Sequence, residues 1–493
     1  MWKTECRRNS MPVSNGFYIL RVIIFNFIIC GLSSPPEEID ELSFRDYPAY
    51  TYPSMRNRLT PFKRLSHATM VLKDDQPAIS EYNVLTNFDF NTSYSDMIPR
   101  FRVRRPHVKR KTLIPKSDTR YLRDTLQHHF SSVRDDSDNG SLKFKARDIL
   151  LNKMKEYNLD IVLHNFTAVE LSDADDVSII EGVNVIGILH GRNWGKSQDG
   201  ILLIGAHYDT VPNSPGVDDN GSGVSAMLEI ARVLSLYNCK FKNTIIFVAF
   251  DMEEVGGLGS LYFVRDFLVP DILQKNKGHF QGAYILDSVL NFDNNINSQE
   301  IPQDIRKVLP SLSRHIAVGG YRGNFLAMMS RWTMDAHLSS QLLKSWEQLD
   351  QPQFKLFHMG INMGSRVPPM NILAKHLNFL RSDHVMFWYH NTSNGPSSLN
   401  AVLITDTALF RGRMRHCYHS SCDDLSFITP ENLLFVKKLV DALVITLINI
   451  SDGYCPEPSS EALSSRISQA SQRKSINIYL IFLCLSFYFY KKL

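Results

Sequence analysis

The stretch "GILLIGAHYDTVPNSPGVDDNGSGVSAMLEIARVL", Gly200 to Leu234, decides the fold. It begins with a short apolar run, Ile201 to Ile204, of the kind a strand buried on both faces requires. It ends in Val224 to Leu234, where the apolar residues fall at helical spacing. Between the two, Gly205 to Gly223 holds one histidine, three aspartates and four glycines. A strand-to-helix turn needs glycine, but it does not need so many groups able to hold a cation.

The same alternation continues on both sides. Upstream, "RYLRDTLQHHFSSV" from Arg120 and "KFKARDILLNKMKEYNL" from Lys143 have helical spacing, and His128 and His129 read as helix surface. Four β-type runs follow: "VNVIGILHG" (183–191), the Gly200 run, "NTIIFVAFD" (243–251) and "GAYILDSVL" (282–290). Helices are predicted between them, from Val224 and from Ser260. A further strand is "AVLITDTAL" (401–409), and a closing helix runs from "TPENLLFVKKLVDALVITL", with Thr429 capping and Pro430 in the first turn. Asn291 to Val367 has no clear period and reads as inserted loops and helices. Strands alternating with helices predict an α/β fold, a central, mostly parallel mixed sheet with helices on both faces.

Ligand-type residues gather at the carboxyl ends of these strands, where open α/β sheets place their sites. They are His207 and Asp209, Asp218 and Asp219, Glu253 and Glu254 in "MEEVGGLGS", Asp287, and Tyr418 and His419 in "CYHSSCDD". Each has an ordinary reading alone: a paired aspartate caps a turn, and paired glutamates complement a helix dipole. Together, two imidazoles with several carboxylates suit zinc, or manganese or cobalt, better than calcium or magnesium. The set exceeds what one catalytic zinc takes and fits two metals ~3.5–4 Å apart sharing a carboxylate. A spare glutamate beside such a pair is a candidate general base.

In these motifs, "HYDT", "PGVDDNGSG", "EEVGGLGS", the "LD" strand end and "YHSSCDD", the chain resembles the co-catalytic zinc aminopeptidases, over about Arg120 to Ser451. That family also includes glutamate carboxypeptidase, glutaminyl cyclase and the transferrin receptor. The resemblance implies a zinc exopeptidase-like fold and two Zn2+. His207, Asp219 and Asp287 would hold one metal, and Asp219, Glu254 and His419 the other. It makes Glu253 the base acting on a metal-bridging water, Asp209 the group orienting His207, and Tyr418 the phenol donor to the oxyanion. It implies a cis bond between Asp219 and Asn220. "RSDHVMFW", Arg381 to Trp388, matches a segment near the family's pocket, with Asp383 and His384 read first as structural support. The function implied is a peptidase acting on peptide ends, an aminopeptidase before a carboxypeptidase or dipeptidase. A glutaminyl cyclase is the alternative of another class, but cyclases lack the "DDNGSG" continuation. A non-catalytic receptor is disfavoured because all five ligands and the base are kept. Some relatives are homodimers, and this chain is compatible with that.

The rest of the chain sets the context. Its 493 residues are 44% hydrophobic and 21% charged, which allows a sizeable core. A net charge of +4, from 54 basic against 50 acidic residues, argues for no nucleic-acid partner. Residues 1–34 combine a basic start with an interrupted apolar run and read as a signal peptide or signal anchor, and so as entry into the secretory pathway. Residues 35–118 are an irregular extension or propeptide, with "RFRVRRPHVKRK" (100–111) either a processing site or a solvated loop. A catalytic domain is expected over 119–455, a polar spacer over 456–475 and an apolar tail over 476–493. Either apolar end predicts membrane attachment, the tail as a lipid-anchor signal or a short tail. Cys239, Cys417, Cys422 and Cys455 are too few for a disulfide-built scaffold, though Cys417 and Cys422 can close a small loop. Sequons at Asn91, Asn139, Asn165, Asn391 and Asn449 fit a glycosylated lumenal or extracellular face, whereas Asn220, inside the ligand loop, is expected to stay bare.

Overall fold

The computed structural model describes residues 114–136, 140–171, 177–362, 375–390 and 398–456. The predicted leader, the basic stretch, the spacer and tail, and the sequons at Asn91, Asn139 and Asn391 lie outside these residues. Five main helices are labelled α1 (Thr119–His129), α2 (Ser141–Glu156), α3 (Gly223–Leu236), α4 (Ala336–Glu347) and α5 (Pro430–Ile450). The strands are β1 (Asp160–Leu171), β2 (Val177–Leu189), β3 (Gly200–His207), β4 (Ile245–Phe250), β5 (His279–Leu286), β6 (Phe325–Arg331), β7 (Lys355–Ile361) and β8 (Ala401–Thr405). They form one sheet in the order β1-β2-β4-β3-β5-β8-β6-β7.

β3 sits at the centre because all eight of its residues are buried, leaving no face for water. It pairs in parallel with β4 and β5, and β5 pairs in parallel with β8. The carboxyl ends of these four strands therefore emerge along one edge of the sheet. Alternate residues from them, among them Leu203, Val248, Ile285 and Leu403, face one core with Phe263, Phe267, Ile305, Ile316 and Trp388. The opposite face carries α3, α4 and α5, with α1 and α2 packed alongside α3. There the Tyr284 hydroxyl donates to the Leu338 carbonyl of α4 at 3.0 Å. Helices thus cover both faces, as the alternating pattern predicts.

Two expectations need correction. Residues 291–367 hold helical segments, but also the paired strands β6 and β7, which widen the sheet. β6 is buried at all seven positions, so its "FLAMMSR" shows no alternation and cannot be told from helix by period. The helix expected from Ser260 starts at Leu258 and continues from Phe263 to Lys275 as a wider coil containing Pro270. β1 has no counterpart among the expected strands; it pairs antiparallel with β2 along its whole length. The closing helix is as read: Thr429 Oγ1 accepts the Asn432 N–H at 3.1 Å and Pro430 occupies the first turn. Cys239 and Cys455 are joined by a disulfide, beside a bridge between Lys240 and Tyr454. Among the described residues no helix is long and apolar enough to cross a membrane.

Candidate metal centre

The parallel strand ends bring the candidate ligands together. His207 is the last residue of β3, Asp287 follows β5, and Glu253 and Glu254 lie in the loop after β4. Asp219 comes from the tight coil Val217–Ser222 that links β3 to α3. That coil needs glycine at both ends. Gly216 has φ +58°, and a side chain there would meet the Asp219 carbonyl at 2.3 Å. A Cβ on Gly223 would lie 2.6 Å from the Leu286 carbonyl, so only glycine lets α3 start against β5. The bond between Asp219 and Asn220 is cis. Asn220 is fully buried; its amide donates to the Leu286 carbonyl at 2.8 Å and its Oδ1 accepts the Ser288 N–H at 3.2 Å. The side chain of Asn220 therefore locks the Asp219 loop to the strand end that carries Asp287.

The Asp219 carboxylate lies between two imidazoles. Its Oδ1 is 3.4 Å from His207 Nε2, and its Oδ2 is 3.3 Å from His419 Nε2. Asp287 Oδ1 is 3.8 Å from His207 Nε2, and Glu254 Oε2 is 3.2 Å from His419 Nε2. Two ligand groups result, His207–Asp219–Asp287 and Asp219–Glu254–His419, which share Asp219. A metal with ligands ~2.0–2.1 Å away in a tetrahedron holds those ligands roughly 3.3 Å from one another. Three of the four spacings, 3.2, 3.3 and 3.4 Å, match that edge, and the Asp287–His207 spacing of 3.8 Å is wider. Both Nε2 atoms and Asp219 Oδ2 are buried without a hydrogen bond among the described residues. Buried polar atoms are ordinarily paired, and a cation is the partner that two imidazole nitrogens and a carboxylate oxygen facing one another would share. The residues fit a pair of divalent metals.

The charges agree with that reading. Burial opposes a charged His207, but Glu253, Asp209, Asp219 and Asp287 outweigh it and hold the imidazole well above its ordinary pKa. Burial likewise opposes charge on His419, and Glu254 and Asp219 push it up to about 10. Burial drives Asp219 upward, yet His207 and His419 hold it below the usual carboxylate range. Glu253, fully buried, is raised well above its ordinary value by burial first, then by Glu254, Asp383 and Asp287. Its Oε2 is 3.9 Å from His207 Nε2.

Asp209 does more than face His207. Its Oδ1 is 3.4 Å from His207 Nδ1 and accepts the Glu253 N–H at 3.1 Å, while its Oδ2 accepts the Glu254 N–H at 3.1 Å. Asp209 so holds the backbone of both glutamates with its carboxylate and faces the His207 ring with both that carboxylate and its carbonyl, the latter accepting from Nδ1 at 3.3 Å. Tyr418 stacks its ring on His419 with centroids 3.8 Å apart. Burial, then Asp219, raises the phenol well above its ordinary pKa, which keeps it a proton donor. A disulfide joins Cys417 to Cys422 around these two residues. His384 Nε2 donates to the Phe379 carbonyl, 2.9 Å away, and packs edge-on to Trp388; Asp383 is fully buried and pushed up to about 7 by burial.

Two residues of this region, Asp423 and Arg134, carry no sequence signal strong enough to find them. Asp423 accepts the Asp218 N–H at 2.8 Å and the Asp219 N–H at 3.0 Å with its two oxygens, and its carbonyl accepts the Val217 N–H at 3.2 Å. Lying four positions after His419, it ties that loop to Asp219. Asp218 does not point at the metal groups: its Oδ1 accepts the Leu290 N–H at 2.9 Å, and burial then Asp406 raise its pKa well above the ordinary value. Arg134, buried after α1, donates to the carbonyls of Tyr208, Pro215 and Gly216. Burial lowers its pKa to about 10, with Asp423 and Asp209 opposing. It props the ligand loop from behind.

Residues 184–314 match the sequence model of peptidase family M28. The match includes His207, Asp219, Glu253, Glu254 and Asp287, and stops before Tyr418 and His419. The aminopeptidase YwaD of Bacillus subtilis is 46% identical over 97 residues, 20% of this chain and 20% of that protein. The uncharacterized protein YfbL of Escherichia coli is 25% identical over 315 residues, 61% of this chain and 80% of that protein. The chain thus covers about a fifth of the length of the first of these relatives. Among solved structures, the aminopeptidase from Aneurinibacillus sp. strain AM-1 is similar with a TM-score of 0.45 at 16% identity, over 67% of this chain and 93% of that one.

Proposed function

We propose that this chain is a two-metal exopeptidase, zinc-dependent and an aminopeptidase in the first instance, acting on the ends of peptides. The observation that carries the reading is the Asp219 carboxylate, whose two oxygens each face a different buried imidazole with a further carboxylate beside it. The match to peptidase family M28 and the aminopeptidase-named relative support it. His207, Asp219 and Asp287 would hold one zinc, and Asp219, Glu254 and His419 the second; manganese or cobalt suits the same donors. Bound there, the metals supply Lewis acidity and a water made acidic enough to attack a carbonyl at neutral pH.

The side chains do the rest. Glu253 is buried within reach of both groups, and its raised proton affinity suits a residue that takes a proton from the attacking water and returns it to the leaving amine. Asp209 holds Glu253 in place through the backbone rather than through its side chain. Tyr418 keeps its proton and would donate to the carbonyl oxygen as charge develops. A one-metal glutaminyl cyclase fits less well, because the second group, Asp219–Glu254–His419, is complete.

The test is metal content of the purified protein by mass spectrometry, together with an aminoacyl-arylamide assay. Two zincs per chain and chelator-sensitive turnover are expected. Glu253→Gln should keep both metals and lower kcat by ~10²–10⁴. Metal-free folded protein, or a Glu253→Gln variant of full activity, would overturn the reading. The proposal extends to an oxidising compartment, supported by the disulfides Cys239–Cys455 and Cys417–Cys422. Asn165 and Asn449 are exposed and open to glycosylation; a glycosidase-sensitive mass would bear on that, and an unmodified, reduced chain would count against it.

A further inference from the structure

A cleft of about 630 Å³, counted to its open mouth, leads away from Asp287 and Tyr418. Much of its wall is apolar: Ile301, Ile305, Ile316, Phe325, Met359 and Phe410. Most of the longer polar side chains in the wall are already engaged. Gln299 donates to Thr407 Oγ1 at 2.8 Å and accepts from Arg411 at 2.8 Å. Asn378 donates to Asp304 at 2.8 Å. Glu300 pairs with Arg415 at 3.4 Å. Arg381 is different. Its Nη2 is buried with no hydrogen bond, and its guanidinium has no carboxylate partner among the described residues. Its only contacts of note are rings: the guanidinium carbon lies 5.9 Å from the Tyr418 ring and 6.0 Å from that of Phe410.

Arg381 is half-buried with Nη2 covered, so that donor is left unmatched without an anion, and the planar fork matches the two oxygens of a carboxylate. Tyr418 adjoins the ligand His419, so an anion held at Arg381 lies about one or two residue lengths from the bond being cut. A protonated amine would be repelled by the guanidinium. We propose that Arg381 binds the free α-carboxylate of a short peptide, so that the site prefers substrates cut at their last bond, dipeptides with a large apolar residue above all. This deepens the exopeptidase reading and rests on it. The apolar wall takes the side chain, and Arg381 sets the distance from the metals to the chain end.

The experiment compares the dipeptide Leu-Phe with its amide, Leu-Phe-NH2, on the zinc-loaded full chain and on Arg381→Met. The wild type should favour the free acid by about 10- to 100-fold in kcat/KM, mostly through KM. Arg381→Met should lose that preference while cleaving the amide as before, and Arg381→Lys should recover part of it, since a point charge replaces the fork. Equal use of acid and amide by the wild type would overturn the proposal. So would an Arg381→Met variant that slows both substrates alike, because the guanidinium would then serve the reacting carbonyl. If neither substrate is cleaved, the exopeptidase reading fails, and calorimetry decides the Arg381 question separately. N-acetylphenylalanine should bind the wild type and neither its amide nor Arg381→Met should match it; no difference between acid and amide would overturn the proposal there too.

Discussion

At the scale of single residues, Asp209 and Asp423 show how a metal site can depend on carboxylates that are not its ligands. Asp209 receives two backbone N–H groups from the glutamate loop and faces the far nitrogen of His207. Asp209→Asn turns one acceptor oxygen into a donor, so one N–H must be left unpaired. Metal affinity should fall ~10–100-fold, read by chelator competition, while the far-ultraviolet circular dichroism stays unchanged. Unaltered affinity would reduce Asp209 to a packing residue. Asp423→Ala removes the acceptor of two buried N–H groups, each costing ~1–3 kcal/mol when left without a partner. A lower thermal midpoint and weakened binding of the metal at His419 are both expected. The candidate ligands that folding brings together could be picked out in the sequence because His207, Asp219, Glu254 and Asp287 each end or follow a strand in a recognisable context. Asp423 and Arg134 could not, because their partners are backbone groups far away along the chain.

At the scale of elements, the site is a meeting of loops held by buried, hydrogen-bonded strands. β3, β4 and β5 are hydrogen-bonded neighbours, so the relative places of His207, Glu254 and Asp287 follow from parallel register. His419 is different, since it comes from a short loop with little regular structure. Its φ of 58° lies in the left-handed region, and the Cys417–Cys422 disulfide closes the loop around it. Replacing both cysteines by serine should loosen that loop first. One metal should then exchange faster than the other in a timed chelator assay, with the slow one belonging to His207 and Asp287. Simultaneous loss of both would show that the disulfide does not act on His419. The strand identities of β3, β4, β5 and β8 were legible as apolar runs. β6 was not, since burial of both faces erases the alternation that distinguishes strand from helix, and β7 pairs beside it.

At the scale of the whole molecule, buried neutral histidines couple folding to pH. His358, paired with Ser330 at 2.7 Å, is pushed by burial from 6.5 down to about 4. Above pH 6.5 folded and unfolded chains are both neutral at this position, and it contributes no slope. Between 6.5 and 4 the unfolded chain takes a proton that the folded one refuses, so stability falls as pH falls, by up to about 3 kcal/mol. His358→Gln should therefore flatten the dependence of the thermal midpoint on pH across this window. An unchanged slope would mean the imidazole is charged in the folded state. The Cys239–Cys455 disulfide ties the end of α3 to the segment after α5, across a sequence separation of 216. Its loss should cost about 2–5 kcal/mol, seen in a denaturant melt of the double serine variant.

The sequence by itself determined the alternation of strands and helices and the residue types at the strand ends, whose imidazoles and carboxylates are of the kind that hold metal ions. Those are local properties: apolar period, glycine placement and ligand chemistry can each be read within a few positions. Only the tertiary structure decided the sheet order, the sharing of Asp219 between two imidazoles, and the backing of that loop by Asp423, Asn220 and Arg134. It also decided that, among the described residues, Arg381 Nη2 has no hydrogen-bond partner while Gln299, Asn378 and Glu300 are engaged. The physical reason is the same throughout. Whether a polar group is paired depends on which distant backbone or side chain folding brings within about 3 Å, and no window of sequence contains that distance.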